Sequence, residues 1–497
     1  MKKTITVTFL IISIVHQLLA QPGTLDSTFG SNGVTLTAIN FTNSSIATCL
    51  AIQSDGKILV GAFFDDWGPI NTSGGLLRYN SQGKLDSSFG NGGINEYGDV
   101  TFSVASQPDG QYAWLGLDYL TFFILKTDAN GSGGTLIELD YEEYRQIKYQ
   151  PDDKLVVSGG IYDSGQYHFG MIRLNADGST DLTFGDAGNV NTKIGSGFSL
   201  ANSSLIQPDG KIILGGESTC NTSVCFTLAR YNINGTPDNT FGNEGVVQTD
   251  IGPGDDHLNT LALQGDGKIV AAGSSHHGYD TDPVLVRYTS DGLLDTAFGI
   301  NGMVTDFGSE SGSIGSIAIQ DDGKIIASGV IDESPMLCRF DSSGSLDSSF
   351  GVNGMVINST GPLSEKISEL RIQPDGKIVI VGGYAPPDHS IVIARYLSGL
   401  NVGIIDFSMA SLPVLLFPNP VRSEATLKYI LNSWEYITIE LYDMLGCMVQ
   451  SFIVKEQREQ GEQEELLQLN PLLLPGNYIL SISNGKNSQG VQITKMN

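Results

Sequence analysis

Imidazoles set beside carboxylates are the most chemically suggestive feature of the chain. His168, His257, His276, His277 and His389 all fall in polar stretches between apolar runs, and "SSHHGYDTD" (Ser274–Asp282) puts His276 and His277 just before Asp280 and Asp282. Such a grouping suits proton transfer or a metal ion, but a surface pair of histidines is the commoner outcome, and no metal site is assigned. In "FFDDWG", Phe64 and Trp67 flank Asp65 and Asp66; aromatic faces beside carboxylates suit a sugar ring or a protein surface. With Tyr279 these form the candidate ligand-binding set: Phe64, Asp65, Asp66, Trp67, His276, His277, Tyr279 and His389. No residue is nominated as catalytic, because GxSxG, HExxH and Walker patterns are absent from the sequence.

Calcium is the one cofactor the sequence raises. "NADGSTD" (Asn175–Asp181) and "TSDGLLD" (Thr289–Asp295) place oxygens at alternate positions before a glycine, as a calcium loop begins. The distal Glu is missing, and the same spacing makes an ordinary Asx turn, which is the preferred reading. Five cysteines are present, of which Cys220 and Cys225 are spaced to bridge a hairpin tip in an exported protein.

The elements that must position these residues are repeats. The turn "SDGK" at Ser54 recurs at Pro108, Pro151, Pro208, Gly265, Asp321 and Pro374. Each is followed by an apolar run ending in Arg78-Tyr79, Lys126-Thr127, Arg173-Leu174, Arg230-Tyr231, Arg287-Tyr288, Arg339-Phe340 or Arg395-Tyr396. A third signature, "LDSTFGSNG" from Leu25, returns from Leu85, Thr180, Pro237, Leu294 and Leu346, and one unit has "GSGGTLIELDY" from Gly131 instead. Asp-Gly between alternating apolar runs is a strong hairpin signal. Seven units of four short strands predict an all-β fold, a seven-bladed β-propeller, followed by a small C-terminal β-sandwich. The Arg of each unit precedes an "LDxxFG" aspartate except where Lys126 replaces it, which points to an Arg–Asp pair across the link. Arg395 has no aspartate after it, and Asp26 has no arginine before it. A closed ring would bring Asp26 and Arg395 together, and an open solenoid would not.

Strands running up and down in turn put the "DGK" turns and "LDxxFG" links on one face. The more variable connections, with all five of these histidines, Trp67 and Tyr279, fall on the other. The aromatics Trp114, Tyr119, Phe122, Phe123, Tyr141, Tyr144 and Tyr149 read as core or inter-blade packing. Across 497 residues the net charge is −27, which argues against nucleic acid as a partner. Glycine at 61 positions and 40% apolar content describe a turn-rich chain able to fill a core.

Lys2 and Lys3 precede an apolar run from Ile5 to Leu19 and then Ala20, the order of a cleavable signal peptide. No later run is long enough to span a membrane. The "LDxxFG…QPDGKI…ARY" unit resembles the delta-60 repeat family over roughly residues 22–400; the resemblance implies a propeller-like fold in a secreted or surface protein. The tail, with "LLFPNPV" (Leu415–Val421), "IELYDMLGCMV" (Ile439–Val449) and "LPGNYILSI" (Leu474–Ile482), resembles the type IX secretion C-terminal sorting domain. Its sorting motifs map to Pro418, Asn419 and Pro420, to Gly446, and to Pro475, Gly476 and Tyr478. That resemblance implies the type IX secretion machinery as partner and passage through the periplasm to the outer surface. The acidic run from Glu456 to Glu465 reads as a solvated loop. The expected organisation is a signal peptide over 1–20, the propeller over 21–400, a linker over 401–413 and the sorting domain over 414–497. Expected function is extracellular binding of a glycan or protein, with a secreted hydrolase or lyase using loop-face His and Asp as the alternative.

Overall fold

The computed structural model describes residues 21–399 apart from 40–43, 66–71, 108, 133, 141, 279, 309–310, 359–365 and 384–389. Within the tail it describes 415–417, 421–431, 435–443, 448–470, 473, 476–483 and 488–495. The expected signal peptide and the linker over 401–413 lie outside the described residues.

Seven four-stranded antiparallel sheets form the propeller. Blade 4 shows the pattern: Ser199–Ile206 innermost, Ile212–Cys220, Ser223–Tyr231 and Val246–Thr249 outermost. The second strand is wholly apolar at its centre, as in Ile269, Val270 and Ala271 of blade 5, all 0% exposed. A neighbouring blade covers each side of it, so alternation gives way to a continuous apolar run. The "DGK" turn needs a left-handed residue at its tip, and Gly267 adopts φ +84°. In blade 3 the sequence is "PDDK", and Asp153 takes the same conformation at φ +65°, a strain aspartate tolerates better than most side chains.

Blade 7 is built from both ends of the propeller. Lys366–Ile372, Ile378–Gly383 and Ile391–Tyr396 supply three strands, and Val34–Thr37 completes the sheet by pairing Val34 with Ala394 and Thr37 with Ile391. Arg395 Nη2 lies 2.8 Å from Asp26 Oδ2, so the ring is closed.

In the tail, a three-stranded and a four-stranded sheet share one core that includes Leu427, Tyr429, Ile439, Leu441, Leu467 and Leu480. The acidic run is not a loop. It spans the end of strand Met448–Arg458 and most of strand Gly461–Gln468, whose residues alternate between half-buried and exposed until Leu467 enters the core. Glu462 and Glu464 occupy solvent-facing positions of the sheet, Glu464 meeting Lys428 at 2.9 Å, while half-buried Glu465 on the other face meets Arg458 at 2.6 Å.

Candidate functional site

The two faces and the channel between them are built by different residues. On the link face, each arginine of the third strand is gripped three ways. Arg230 Nε donates to Asp238 Oδ2 at 2.8 Å, its guanidinium lies 4.6 Å over the Phe241 ring, and Nη1 donates to the Ser290 carbonyl of the next blade at 2.5 Å. Arg173, Arg287 and Arg395 repeat all three contacts, with Arg395 reaching the Ser81 carbonyl of blade 1. The "DGK" lysine joins the same carboxylate, as Lys211 does at 3.1 Å from Asp238. Lys126, the one replacement, keeps the bond to the next blade through the Ala176 carbonyl but has no linking aspartate. Hydrogen bonds and cations depress these carboxyls. Burial raises the Asp347 pKa, but the Ser349 hydroxyl and backbone, Lys324 and Arg339 outweigh it and leave it at about 2.

The residues of the two calcium-like spacings make other bonds. Asp181 is engaged by Arg173 and Lys154, and Asp295 by Arg287 and Lys268, while Asp177 accepts the Ser179 N–H in an Asx turn. Among the described residues no three His, Cys, Asp or Glu side chains gather to hold a metal ion.

On the loop face the sequence-predicted residues scatter. Phe64 is not an exposed platform: it is 0% exposed, in the core shared by blades 1 and 7, because its position in strand Ile58–Asp65 points it between blades. Asp65 ends that strand, half-buried. Asp66, Trp67, Tyr279 and His389 lie outside the described residues. His276 and His277 close the second strand of blade 5; His276 Nδ1 is 3.2 Å from Thr281 Oγ1, and His277 Nδ1 is 3.2 Å from Asp282 Oδ2. Cys220 and Cys225 are joined by a disulfide at the blade-4 tip. In the tail, Gly476 opens a strand and is exposed, and Tyr478 is buried, whereas Pro418, Asn419, Pro420, Gly446 and Pro475 lie outside the described residues.

The sequence singled out His257 without its partner and read Tyr119 as packing, so two loop-face groups emerge only in the structure. His257 Nδ1 meets Glu217 Oε2 at 2.5 Å, with the His276 ring 5.3 Å away edge-on. The Glu217 hydrogen bond raises the His257 pKa against the opposing effect of burial. The second group is aromatic. Trp114, Phe122, Phe123 and Tyr144 are buried, but Tyr119 is 80% exposed at the blade-2 tip and Tyr162 is 56% exposed at the blade-3 tip. Tyr119 sits at φ +58°, its N–H bonded to Asp99 Oδ2 at 2.7 Å.

The channel has its own regularity. The innermost strand of every blade carries a bulge, at Thr48, Phe102, Arg145, Asn202, Asn259, Gly315 and Ser368. All seven bulged residues line one polar cavity of about 210 Å³. A bulge turns an extra side chain toward the axis, where it can bond to the next blade. Asn202 Nδ2 donates to the Leu258 carbonyl at 3.0 Å and Asn259 Nδ2 to Ile314 at 2.8 Å. The residue after the bulge accepts from the next blade: Ser203 Oγ from Leu261 N, Ser316 Oγ from Leu370 N, and Glu369 Oε2 from Leu50 N across the closure. A larger groove of about 520 Å³ lies on the outer rim between blades 3 and 4, but its arginine, Arg230, is already committed to Asp238.

The profile of a family described as a β-propeller domain of unknown function (DUF5122) matches residues 53–89, 150–184, 207–241, 264–298 and 320–350. A secretion-system C-terminal sorting domain matches residues 415–495. No curated protein matches the chain. Among solved structures, PorZ, a surface component of the type-IX secretion system of Porphyromonas gingivalis, aligns at 11% identity and a TM-score of 0.42 over 90% of this chain and 59% of PorZ. The chain thus spans about three fifths of that protein's length. Sqt1 from Chaetomium thermophilum aligns at 11% identity and TM-score 0.42 over 73% of this chain and 100% of its own. An acylaminoacyl peptidase from Pyrococcus horikoshii aligns at 10% identity and TM-score 0.43 over 79% and 59%. Likenesses at these scores say nothing about activity.

The sorting domain directs the chain through type IX secretion, to be released or displayed at the cell surface. Among the described residues no helix is long and apolar enough to cross a membrane. The chain is a seven-bladed β-propeller carrying five repeats that match this β-propeller family model, and it ends in a type IX secretion C-terminal sorting domain.

Proposed function

We propose that the protein is an extracellular binding module that recognises a glycan or a protein on the loop face of its propeller. The observation that carries this reading is the pair Tyr119 and Tyr162, two exposed rings on the tips of adjacent blades. Large aromatic side chains in water are costly to solubility, and one held in a left-handed turn is costlier still, so their placement favours a contacting partner. Flat rings with a hydroxyl suit sugar faces and protein surfaces alike. Trp67 belongs, by sequence, to the connection on that side of blade 1, and the candidate histidines and Asp282 belong to the same face of blade 5. The test is binding of the mature full-length chain to an array of glycans and cell-surface proteins. Saturable binding that Tyr119→Ala, Tyr162→Ala or Trp67→Ala weakens supports the reading; binding indifferent to all three rules it out. Turnover of an arrayed substrate lost in His257→Gln would instead favour the hydrolase or lyase alternative, which the His257–Glu217 pair supports.

A further inference from the structure

The channel holds an imbalance of charge that the rest of the molecule does not explain. Four charged side chains line the cavity: Arg145, Lys148, Glu369 and Arg371. Three are cations and one is a carboxylate, inside a chain whose net charge is −27. Glu369 is already engaged at both oxygens, by Arg371 Nη2 and by the Leu50 N–H. Lys148 Nζ has no hydrogen bond or ion pair among the described residues, whereas Arg145 is paired through Nη2 with Glu143 Oε2 at 2.9 Å, its Nε alone being buried without a partner. The other five blades place Ala51, Ala105, Leu205, Ala262 and Ala318 three positions after their bulges, where blades 3 and 7 place Lys148 and Arg371. Lys148 and Arg371 line the cavity from blades 3 and 7, whereas the Ala and Leu side chains at the same position in the other blades do not reach it.

Burial first, and the Arg371 charge second, lower the Lys148 pKa to about 8, with Glu369 pulling the other way. Arg145 pairs with Glu143 and Arg371 with Glu369, so Lys148 is the one cation of the lining without a carboxylate of its own, and a bound anion would supply the counter-charge.

We propose that the propeller channel binds a small oxyanion, a carboxylate, phosphate or sulfate, held between Lys148 and Arg371 with Arg145 beside them. The cavity of about 210 Å³ accommodates such an anion with part of its water shell. This site is separate from the loop-face tyrosines and stands or falls independently of them.

The experiment titrates inorganic phosphate, sulfate and succinate into the mature full-length protein at fixed ionic strength, with chloride as the reference anion, by calorimetry and by thermal melting. One saturable site is expected for at least one of the three. Lys148→Met should weaken it by about tenfold or more, and Lys148→Arg should retain it. Because Lys148→Met removes an unpaired cation, it should melt no lower than the native protein without anion, which separates lost binding from lost folding. Phosphate or sulfate binding without succinate assigns a tetrahedral anion; succinate alone assigns a carboxylate. Failure of all three to saturate, or unchanged affinity in Lys148→Met, overturns the proposal.

Discussion

The link face and the loop face are made by the same strands, yet they follow opposite rules. On the link face six arginines meet six aspartates at 2.8 to 2.9 Å and reach onward to the next blade. On the loop face the described tips follow no common rule: blades 2 and 3 carry exposed tyrosines, blade 4 ends in a disulfide, and blade 5 in paired histidines. Repetition marks the chemistry that fastens blade to blade, where every joint has the same task. Variation marks the side on which the joints share no common task.

The comparison breaks most visibly if a clamp can be removed without cost. Arg287→Ala should destabilise the propeller by about 2–4 kcal/mol, since it leaves Asp295 with Lys268 alone, uncovers the Phe298 ring and frees the Ser342 carbonyl, and urea unfolding would show it. A loss below about 1 kcal/mol would reduce the clamp to the standing of a surface ion pair. Acid should act on the same face. The Asp347 carboxyl falls from 3.8 to about 2 on folding, so the stability it contributes is complete above pH 3.8 and disappears as the pH drops through 2. Asp181 shifts the same way, driven first by the Thr183 hydroxyl. Unfolding midpoints at pH 7, 4 and 2.5 would trace that window.

Changes on the loop face should be smaller. Replacing Cys220 and Cys225 together by Ser removes the closure of a short loop and should cost about 2 kcal/mol in thermal unfolding. Tyr119→Gly relieves a left-handed non-glycine residue with little packing to lose, and should leave stability unchanged or raise it by about 0.5–1 kcal/mol. A clear loss on Tyr119→Gly would mean that the tyrosine fastens the blade and would erase the contrast between the faces.

Much of this was legible in the chain. The clamp could be read because Arg and Asp recur together and because Lys126 and the missing aspartate go together, and the pairing of Asp26 with Arg395 followed from the same rule. Phe64 was misread because its polar neighbours suggested a loop, while strand register, invisible locally, turns it into the core. Tyr119 went the other way: its apolar neighbours suggested packing, but the pairing of Asp118 with Thr121 leaves it at the turn. The channel was hidden for a geometric reason. A bulge breaks the two-residue period, so "EYRQIKY" gives no sign that Arg145 and Lys148 face an axis until all seven innermost strands are brought together.

Closure of the ring by its two ends has a consequence in time. Asp26 and Arg395 are 369 positions apart, and the strand from Val34 has no sheet to join until Ile391–Tyr396 has been made. Blades 1 to 6 can form one after another as the chain emerges, each covering the last. The seventh must wait, with the strand from Val34 unpaired and two open blade sides exposed to other chains. The slowest step of folding should therefore be the last contact, and a chain that stalls before its final repeat is left as an open, adhesive fragment.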